Sequence, residues 1–162
     1  MDQIEIERKF LVGGPFKQDE SGSVVMRQCY INNQGGRTVR VRIAGEKAFL
    51  TIKGPSFDGG VSRFEWEMEI PVADAEKLML LRVSSIVEKR RHFVPFGGHT
   101  FEVDEFFGEN EGLIIAEVEL GSSDEAFERP DWLGEEVTGE SRYYNSHLAA
   151  HPFKTWAKDD KI

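Results

Sequence analysis

Apolar and polar residues alternate with a period of two along most of this chain, the pattern of strands with one buried face. The alternation predicts strands over residues 4–12, 24–32, 38–44, 48–54, 61–72, 86–95, 100–107 and 113–121. The breaks between them carry turn chemistry: Gln34-Gly35-Gly36, Gly45-Glu46, Asp58-Gly59-Gly60, Gly97-Gly98 and the run from Gly108 to Gly112,. Eight strands with connections this short predict a meander or a barrel. Helical spacing of Ala75, Leu78, Met79 and Arg82 predicts a helix over 74–83 with Asp74 as its N-cap, and a second helix is expected over 141–150,. A helical turn over 123–128, stopped by Pro130, is also expected,. Residues 1–150 then form a single domain, with 151–162 as a loosely held tail,.

Composition narrows the class. The 162 residues include 40% hydrophobic side chains and six prolines, which suits one folded domain with a substantial core,. Twenty-nine acidic against 20 basic residues give a net charge of −9, which taken alone argues against nucleic acids, anionic membranes and phosphorylated ligands,. The single cysteine, Cys29, cannot pair within the chain and is expected as a small buried apolar group in a reducing compartment,. Charges at Asp2, Glu5, Glu7, Arg8 and Lys9 leave no apolar signal segment, and no later stretch is long enough to cross a bilayer as a helix,. A cytoplasmic protein is the expectation.

The placement of the charges changes that picture. Glu5, Glu7 and Lys9 alternate with Ile4, Ile6 and Phe10 or its neighbours; Arg40 and Arg42 alternate with Val39, Val41 and Ile43; Lys53 is out of phase with Leu50 and Ile52. Arg63, Glu65, Glu67 and Glu69 alternate strictly with Phe64, Trp66, Met68 and Ile70. Lys89 and Arg91, Glu102 and Asp104, and Glu117 and Glu119 continue the pattern. Side chains two apart share a face, so each group forms a charged stripe. On any one strand a solvated outer face is the ordinary explanation, but such faces are diluted with Ser, Thr, Asn and Gln, and these are almost all fully charged. If the strands close into a barrel with these stripes inside, the interior is a ligand tunnel. The apolar exterior then needs covering by helices or by a second copy, as in a homodimer.

The stripes hold seven bases and nine acids, a net −2, leaving −7 for the rest of the chain. Arginines and lysines suit phosphate oxygens, and carboxylates suit hard divalent cations, so the mixture fits a polyphosphate bound with metal. Buried charges without a use are costly, which favours a ligand over a merely structural interior. The net charge therefore describes mainly the outside.

The segment Glu5-Ile6-Glu7-Arg8-Lys9 is an E-x-E-x-K signature, and with it the chain resembles CYTH-domain proteins, the triphosphate tunnel metalloenzymes. The resemblance runs through 27–31 (RQCYI), 39–42 (VRVR), 51–53 (TIK), 63–67 (RFEWE), 87–91 (VEKRR), 101–104 (FEVD), 117–119 (EVE), 132–138 (WLGEEVT) and 142–145 (RYYN). It is most similar to the short bacterial members that hydrolyse inorganic triphosphate. The resemblance implies an α+β fold, an eight-stranded antiparallel tunnel with a charged interior flanked by a few helices. It also implies Mg²⁺ or Mn²⁺, two ions per site, held by Glu5, Glu7, Glu117 and Glu119, with Asp104, Glu102 and Glu67 completing the shell. Arg40, Arg42, Lys53, Lys89 and Arg91 are the implied phosphate clamp, with Arg142 at the tunnel mouth. Lys9 and Tyr30 are the implied pair beside the attacked phosphorus. Arg63 is expected to pair with Glu65 or a neighbour, and His92, His99, His147 and His151 are expected at the surface. Competing readings are a class IV adenylate cyclase or thiamine triphosphatase on the same fold, a non-catalytic polyphosphate-binding module, and a plain β-sandwich interaction domain.

Overall fold

The computed structural model describes residues 3–156. Nine strands form in chain order: β1 (Ile4–Val12), β2 (Gly22–Asn32), β3 (Thr38–Ala44), β4 (Lys47–Phe57), β5 (Ser62–Ile70), β6 (Val87–Phe96), β7 (His99–Phe106), β8 (Ile114–Glu119) and β9 (Leu133–Glu136). Two short helices, α1 (Val72–Leu78) and α2 (Asn145–Ala150), complete the regular elements together with several 3₁₀ turns. The pairing order β5-β4-β3-β2-β6-β7-β8-β1 closes on itself because β1 also pairs with β5, giving an eight-stranded antiparallel barrel. Closure leaves no free edge among these eight.

β1 holds the closure together by changing partners along one edge. Its start pairs with β5 (Ile4↔Phe64, Ile6↔Ser62), and its end pairs with β9 (Phe10↔Glu136, Val12↔Leu133). β9 is a strand the alternation does not predict: Leu-Gly-Glu-Glu is short and carries a single apolar residue. Short reversals join most of the barrel strands. Gly97 and Gly98, both at positive φ, form the two-residue turn between β6 and β7 that only such residues make without strain,.

The period-two faces fall as the sequence requires. Cys29, Val41, Ile43 and Ala48 point outward and are covered by Ala75 of α1 and by Met79. Phe10, Val94, Phe101, Val103, Ala116 and Val118 form a second outward cluster, capped by Phe16, Trp132 and Phe127. A third cluster lies inside the barrel. Leu11, Tyr30, Val87, Phe106 and Ile115 share the inward phase of the charged residues, and Val137, Tyr143, Leu148, Ala149 and Phe153 pack onto them with Trp156 beside them. One end of the barrel interior is thus an apolar floor closed by the C-terminal segment, each buried side chain contributing about 1.5–3 kcal/mol relative to exposure. The outer face of β4 and β5 joins the α1 cluster only at Ala48, Leu50 and Ile70, leaving Ile52, Phe64 and Met68 exposed.

Several expectations shift. α1 begins at Val72 with Pro71 as the N-cap, because proline's fixed φ and missing N–H suit the helix entry, and Asp74 lies inside the first turn,. The helical pattern over 79–81 tightens to a 3₁₀ turn, and residues 141–143 do the same before α2. Residues 125–130 are extended coil, with only a turn at 123–124, so the expected helical turn there does not form. The segment 151–156 is not loose: Phe153 is buried and its N–H donates to Asn110 Oδ1 at 2.8 Å. The remainder of the predicted tail, 157–162, lies outside the described residues. Among those residues no helix is long and apolar enough to cross a membrane.

Candidate active site

A cavity of about 200 Å³ occupies the barrel above the apolar floor, lined by six cations and seven carboxylates. The two signs are sorted by strand. Arg40 and Arg42 come from β3, Lys53 from β4 and Arg91 from β6; Glu117 and Glu119 come from β8, Glu5 and Glu7 from β1, Glu65 and Glu67 from β5, and Glu102 from β7. The barrel therefore has a basic wall on β6-β2-β3-β4 and an acidic wall on β7-β8-β1-β5, with Lys9 and Arg63 as the two cations seated on the acidic side.

The basic wall is held by bonds behind the cavity. Arg91 makes a fork to Asp104, with Nε to Oδ1 at 2.8 Å and Nη2 to Oδ2 at 2.9 Å. Lys89 Nζ lies 2.6 Å from the same Asp104 Oδ2 and donates to Asn145 Oδ1 at 2.9 Å. Burial raises the Asp104 pKa, but Arg91 and Lys89 more than offset it, leaving it at about 2. Burial pulls the Lys89 ammonium below its ordinary value, with Asp104 opposing. Arg42 donates from Nε to Gln28 Oε1 at 2.8 Å. Burial, then Arg40 and Arg91, bring the Arg42 guanidinium down to about 9, so cations are crowded here with too little negative charge. Arg40 donates to Thr51 Oγ1 at 3.1 Å and sits 3.5 Å from Glu67, while its buried Nε has no partner. An unpartnered buried N–H beside crowded guanidiniums is the electrostatic signature of a site that receives an anion.

The acidic wall is the reverse. Glu5 is paired with Lys53 at 2.8 Å, which overcomes burial and holds its carboxyl below the ordinary range. Glu7 is pushed well above that range by burial and by the neighbouring Glu117. Glu117 is held well below it: burial opposes, but Lys9 and the hydrogen bond from Glu7 prevail. Glu65, Glu102 and Glu119 are all raised, first by burial and, at Glu65 and Glu119, next by Glu5. As the side chains stand, no three His, Cys, Asp or Glu groups among the described residues are gathered at metal-ligand spacing. Oxygen-only donors competing for a proton do have the chemistry that a hard divalent cation satisfies.

Lys9 Nζ sits between the walls, 3.9 Å from Glu117 and 3.4 Å from the Tyr143 carbonyl, with the Tyr144 ring 5.2 Å away. Tyr30 also lines the cavity, close to Gln28. Gly60 of the β4–β5 turn and Gly139 roof this region in direct contact: a Cβ on Gly60 would fall 2.4 Å from Gly139 Cα. Only glycine permits that approach, and both residues have positive φ,.

Most sequence-predicted residues meet here, with some differences. Lys89 and Asp104 do not reach the cavity surface; both are buried behind Arg91. Arg142 lies away from the lining, over the rings of Tyr143 and Trp156. Arg63, expected as a mere partner of Glu65, lines the cavity and donates to the Gly54 carbonyl. Gln28, Thr38, Thr51, Tyr144 and Asn145 escape a search for charged residues; a polar residue in phase with a charged stripe was the available signal for Gln28, Thr38 and Thr51. His92, expected at the surface, is buried between Glu20 and Glu105.

A CYTH-domain family model matches residues 3–149. An inorganic triphosphatase of Acetivibrio thermocellus is 46% identical over 153 residues, covering 94% of this chain and 97% of that protein. One from Nitrosomonas europaea is 40% identical over 149 residues, covering 90% of this chain and 96% of that protein. A crystal structure of an inorganic triphosphatase superposes with a TM-score of 0.62 at 36% identity, covering 90% of this chain and 93% of the other. With a family match over nearly the whole length, this chain belongs to the CYTH-domain family.

Proposed function

We propose that this protein hydrolyses inorganic triphosphate to diphosphate and orthophosphate inside the barrel. The observation that carries the reading is the sorting of the cavity into a basic wall with an unpartnered Arg40 Nε and an acidic wall whose carboxylates are under-neutralised. The relatives named inorganic triphosphatase support it. Arg40, Arg42, Lys53 and Arg91 would take phosphate oxygens, stabilising charge that builds on the transferring and leaving groups. Glu5, Glu7, Glu117 and Glu119 would hold Mg²⁺ or Mn²⁺, which when bound neutralises substrate charge and lowers the pKa of a coordinated water. Lys89 and Asp104 act behind them, fixing Arg91. Lys9 and Tyr30 orient the attacking water. The water oxygen forms the new bond to the terminal phosphorus, the bridging P–O bond breaks, diphosphate leaves with the bonding pair, and a water proton passes to a phosphate oxygen of the products.

A nucleoside or thiamine triphosphate needs room for its organic group. Apart from Val61 and the rings of Tyr30 and Tyr144, the lining is glycine, hydroxyl, amide or charge. Buried unpaired Cys29 fits the reducing cytoplasm as the proposed location. The test is phosphate release from triphosphate, ATP and thiamine triphosphate with Mg²⁺ and with Mn²⁺. Triphosphate is expected to be preferred, and Lys9→Ala to lower its kcat by on the order of 10²-fold or more. A preference for either organic substrate would overturn the reading.

A further inference from the structure

We infer that the Asn145 side-chain amide is a further substrate-binding group, donating from Nδ2 to a phosphate oxygen inside the barrel. Two obligate donors, Arg42 and Lys89, set the orientation of the amides around them. Arginine and lysine have no acceptor atoms, so the oxygen of any amide facing them must be the acceptor. Arg42 Nε is 2.8 Å from one end of the Gln28 amide, which makes that end Oε1 and turns Nε2 the other way. Gln28 Nε2 then donates to Asn145 at 3.3 Å, and Lys89 Nζ donates to the same Asn145 atom at 2.9 Å. Both donors require that atom to be Oδ1. The orientation of the Asn145 amide is therefore fixed twice over by its neighbours.

Fixing Oδ1 on the protein side assigns Nδ2 to the other side. Asn145 lines the cavity, and its Nδ2 has no acceptor among the described residues. Gln28 and Lys89 are themselves fully buried, so if the amide swings each loses an acceptor, Gln28 keeping only the longer contact to Tyr30 Oη at 3.4 Å and Lys89 keeping only Asp104,. The result is a neutral donor aimed into an anion site and held by the same bonded array that carries Arg42 and, through Lys89 and Asp104, Arg91. It adds a hydrogen bond to phosphate without adding another cation to a crowded wall. Asn145 is the first residue of α2, so the segment that closes the floor of the barrel also contributes to the site.

The inference rests on the triphosphate reading, and the experiment separates the two. ¹⁵N-labelled full-length protein is titrated with inorganic triphosphate in EDTA, and phosphate release with Mg²⁺ and Mn²⁺ is measured in parallel. The Asn145 side-chain NH₂ signals, assigned by their disappearance in Asn145→Asp, are expected to move downfield as triphosphate saturates the site. Asn145→Leu is expected to raise the triphosphate Kd by about tenfold or more, the loss of one hydrogen bond to a charged acceptor. An amide that only braces Lys89 and Gln28 would leave its NH₂ signals in place, and that result overturns the inference even if Asn145→Leu fails to fold. A Kd within twofold of wild type for folded Asn145→Leu overturns it as well. Binding with the amide shift but no turnover sinks the hydrolase reading alone; turnover with an unmoved amide sinks this inference alone; no triphosphate binding sinks both.

Discussion

The basic wall of the barrel lines the cavity with four cations and the acidic wall with seven carboxylates, and the two are built to opposite standards. On the basic wall each arginine is seated by a specific partner: Arg91 by Asp104, Arg42 by Gln28, Arg40 by Thr51. On the acidic wall seven carboxylates share a few cations, Lys53 serving both Glu5 and Glu65, and the pKa of Glu7, Glu65, Glu102 and Glu119 rises because burial and neighbouring acids penalise their charge. The basic wall is pre-organised before any ligand arrives, with donors to spare. The acidic wall is incomplete on its own and gains stability only when something positive joins it. Electrostatic preorganisation for phosphate and a deficit of positive charge opposite it are two halves of one design.

The largest expected effect follows from filling that deficit. Chelation of divalent ions should reduce triphosphate hydrolysis to background, with recovery on adding Mg²⁺ or Mn²⁺. The same ions should stabilise the folded protein, by about 2.7 kcal/mol at a hundredfold excess over Kd, because the unfolded chain has no such site. Glu117→Gln should lower kcat by about 10²–10³-fold and blunt the metal-induced rise in Tm. Full activity in EDTA would break the contrast at its root.

Next in size is a pair of substitutions that should act in opposite directions. Arg91→Ala leaves Asp104 buried with half its compensation, and should cost about 3–5 kcal/mol in urea unfolding as well as raising KM,. Glu7→Gln replaces a carboxyl whose charged form is disfavoured by burial and by Glu117 with a neutral group that can still donate to Glu117. It should stabilise the metal-free protein by on the order of 1 kcal/mol while abolishing the metal-induced gain. If both substitutions destabilise alike in EDTA, the walls do not differ in the way described.

How much of this was legible beforehand follows from what a period of two can and cannot encode. Alternation identifies faces, so it placed Arg40, Arg42, Glu65 and Glu117 inside the barrel and Val41, Trp66 and Val118 outside. Depth along the barrel is set by register, and alternation is blind to it. Lys89 and Arg91 look equivalent in sequence, but pairing puts Arg91 opposite Asp104 in the lining and Lys89 opposite Phe106 at the apolar floor. Leu11, Val87 and Ile115 continue the charged phase for the same reason, as the point where the tunnel becomes core. β9 was hidden because its partner decides it: Arg8, an outward residue of the E-x-E-x-K segment, fastens it from outside. Asn145 was hidden because it is neutral and lies on a helix, where the strand pattern gives no guidance.

The smallest expected effect tests whether enclosure, rather than charge pairing as such, makes the basic wall costly to disturb. Arg8 forks onto Glu136 on the outside of the barrel, with Nε to Oε2 at 2.8 Å and Nη2 to Oε1 at 2.6 Å, and Thr138 donates to the same carboxylate. The geometry matches that of Arg91 on Asp104, but both side chains are a quarter or more exposed to solvent. Glu136→Gln should therefore cost less than about 1 kcal/mol, far below Arg91→Ala. The hydrogen bonds from Arg8 lead the causes that hold the Glu136 pKa below its ordinary value, with burial opposing. A carboxylate lowered in the folded state contributes stability above the unfolded pKa and loses it as pH falls through the folded one. Unfolding free energies followed from about pH 6 to pH 3 should thus fall less steeply in Glu136→Gln than in wild type. A cost for Glu136→Gln equal to that of Arg91→Ala would mean that the fork itself, and not its burial behind the phosphate site, supplies the stability.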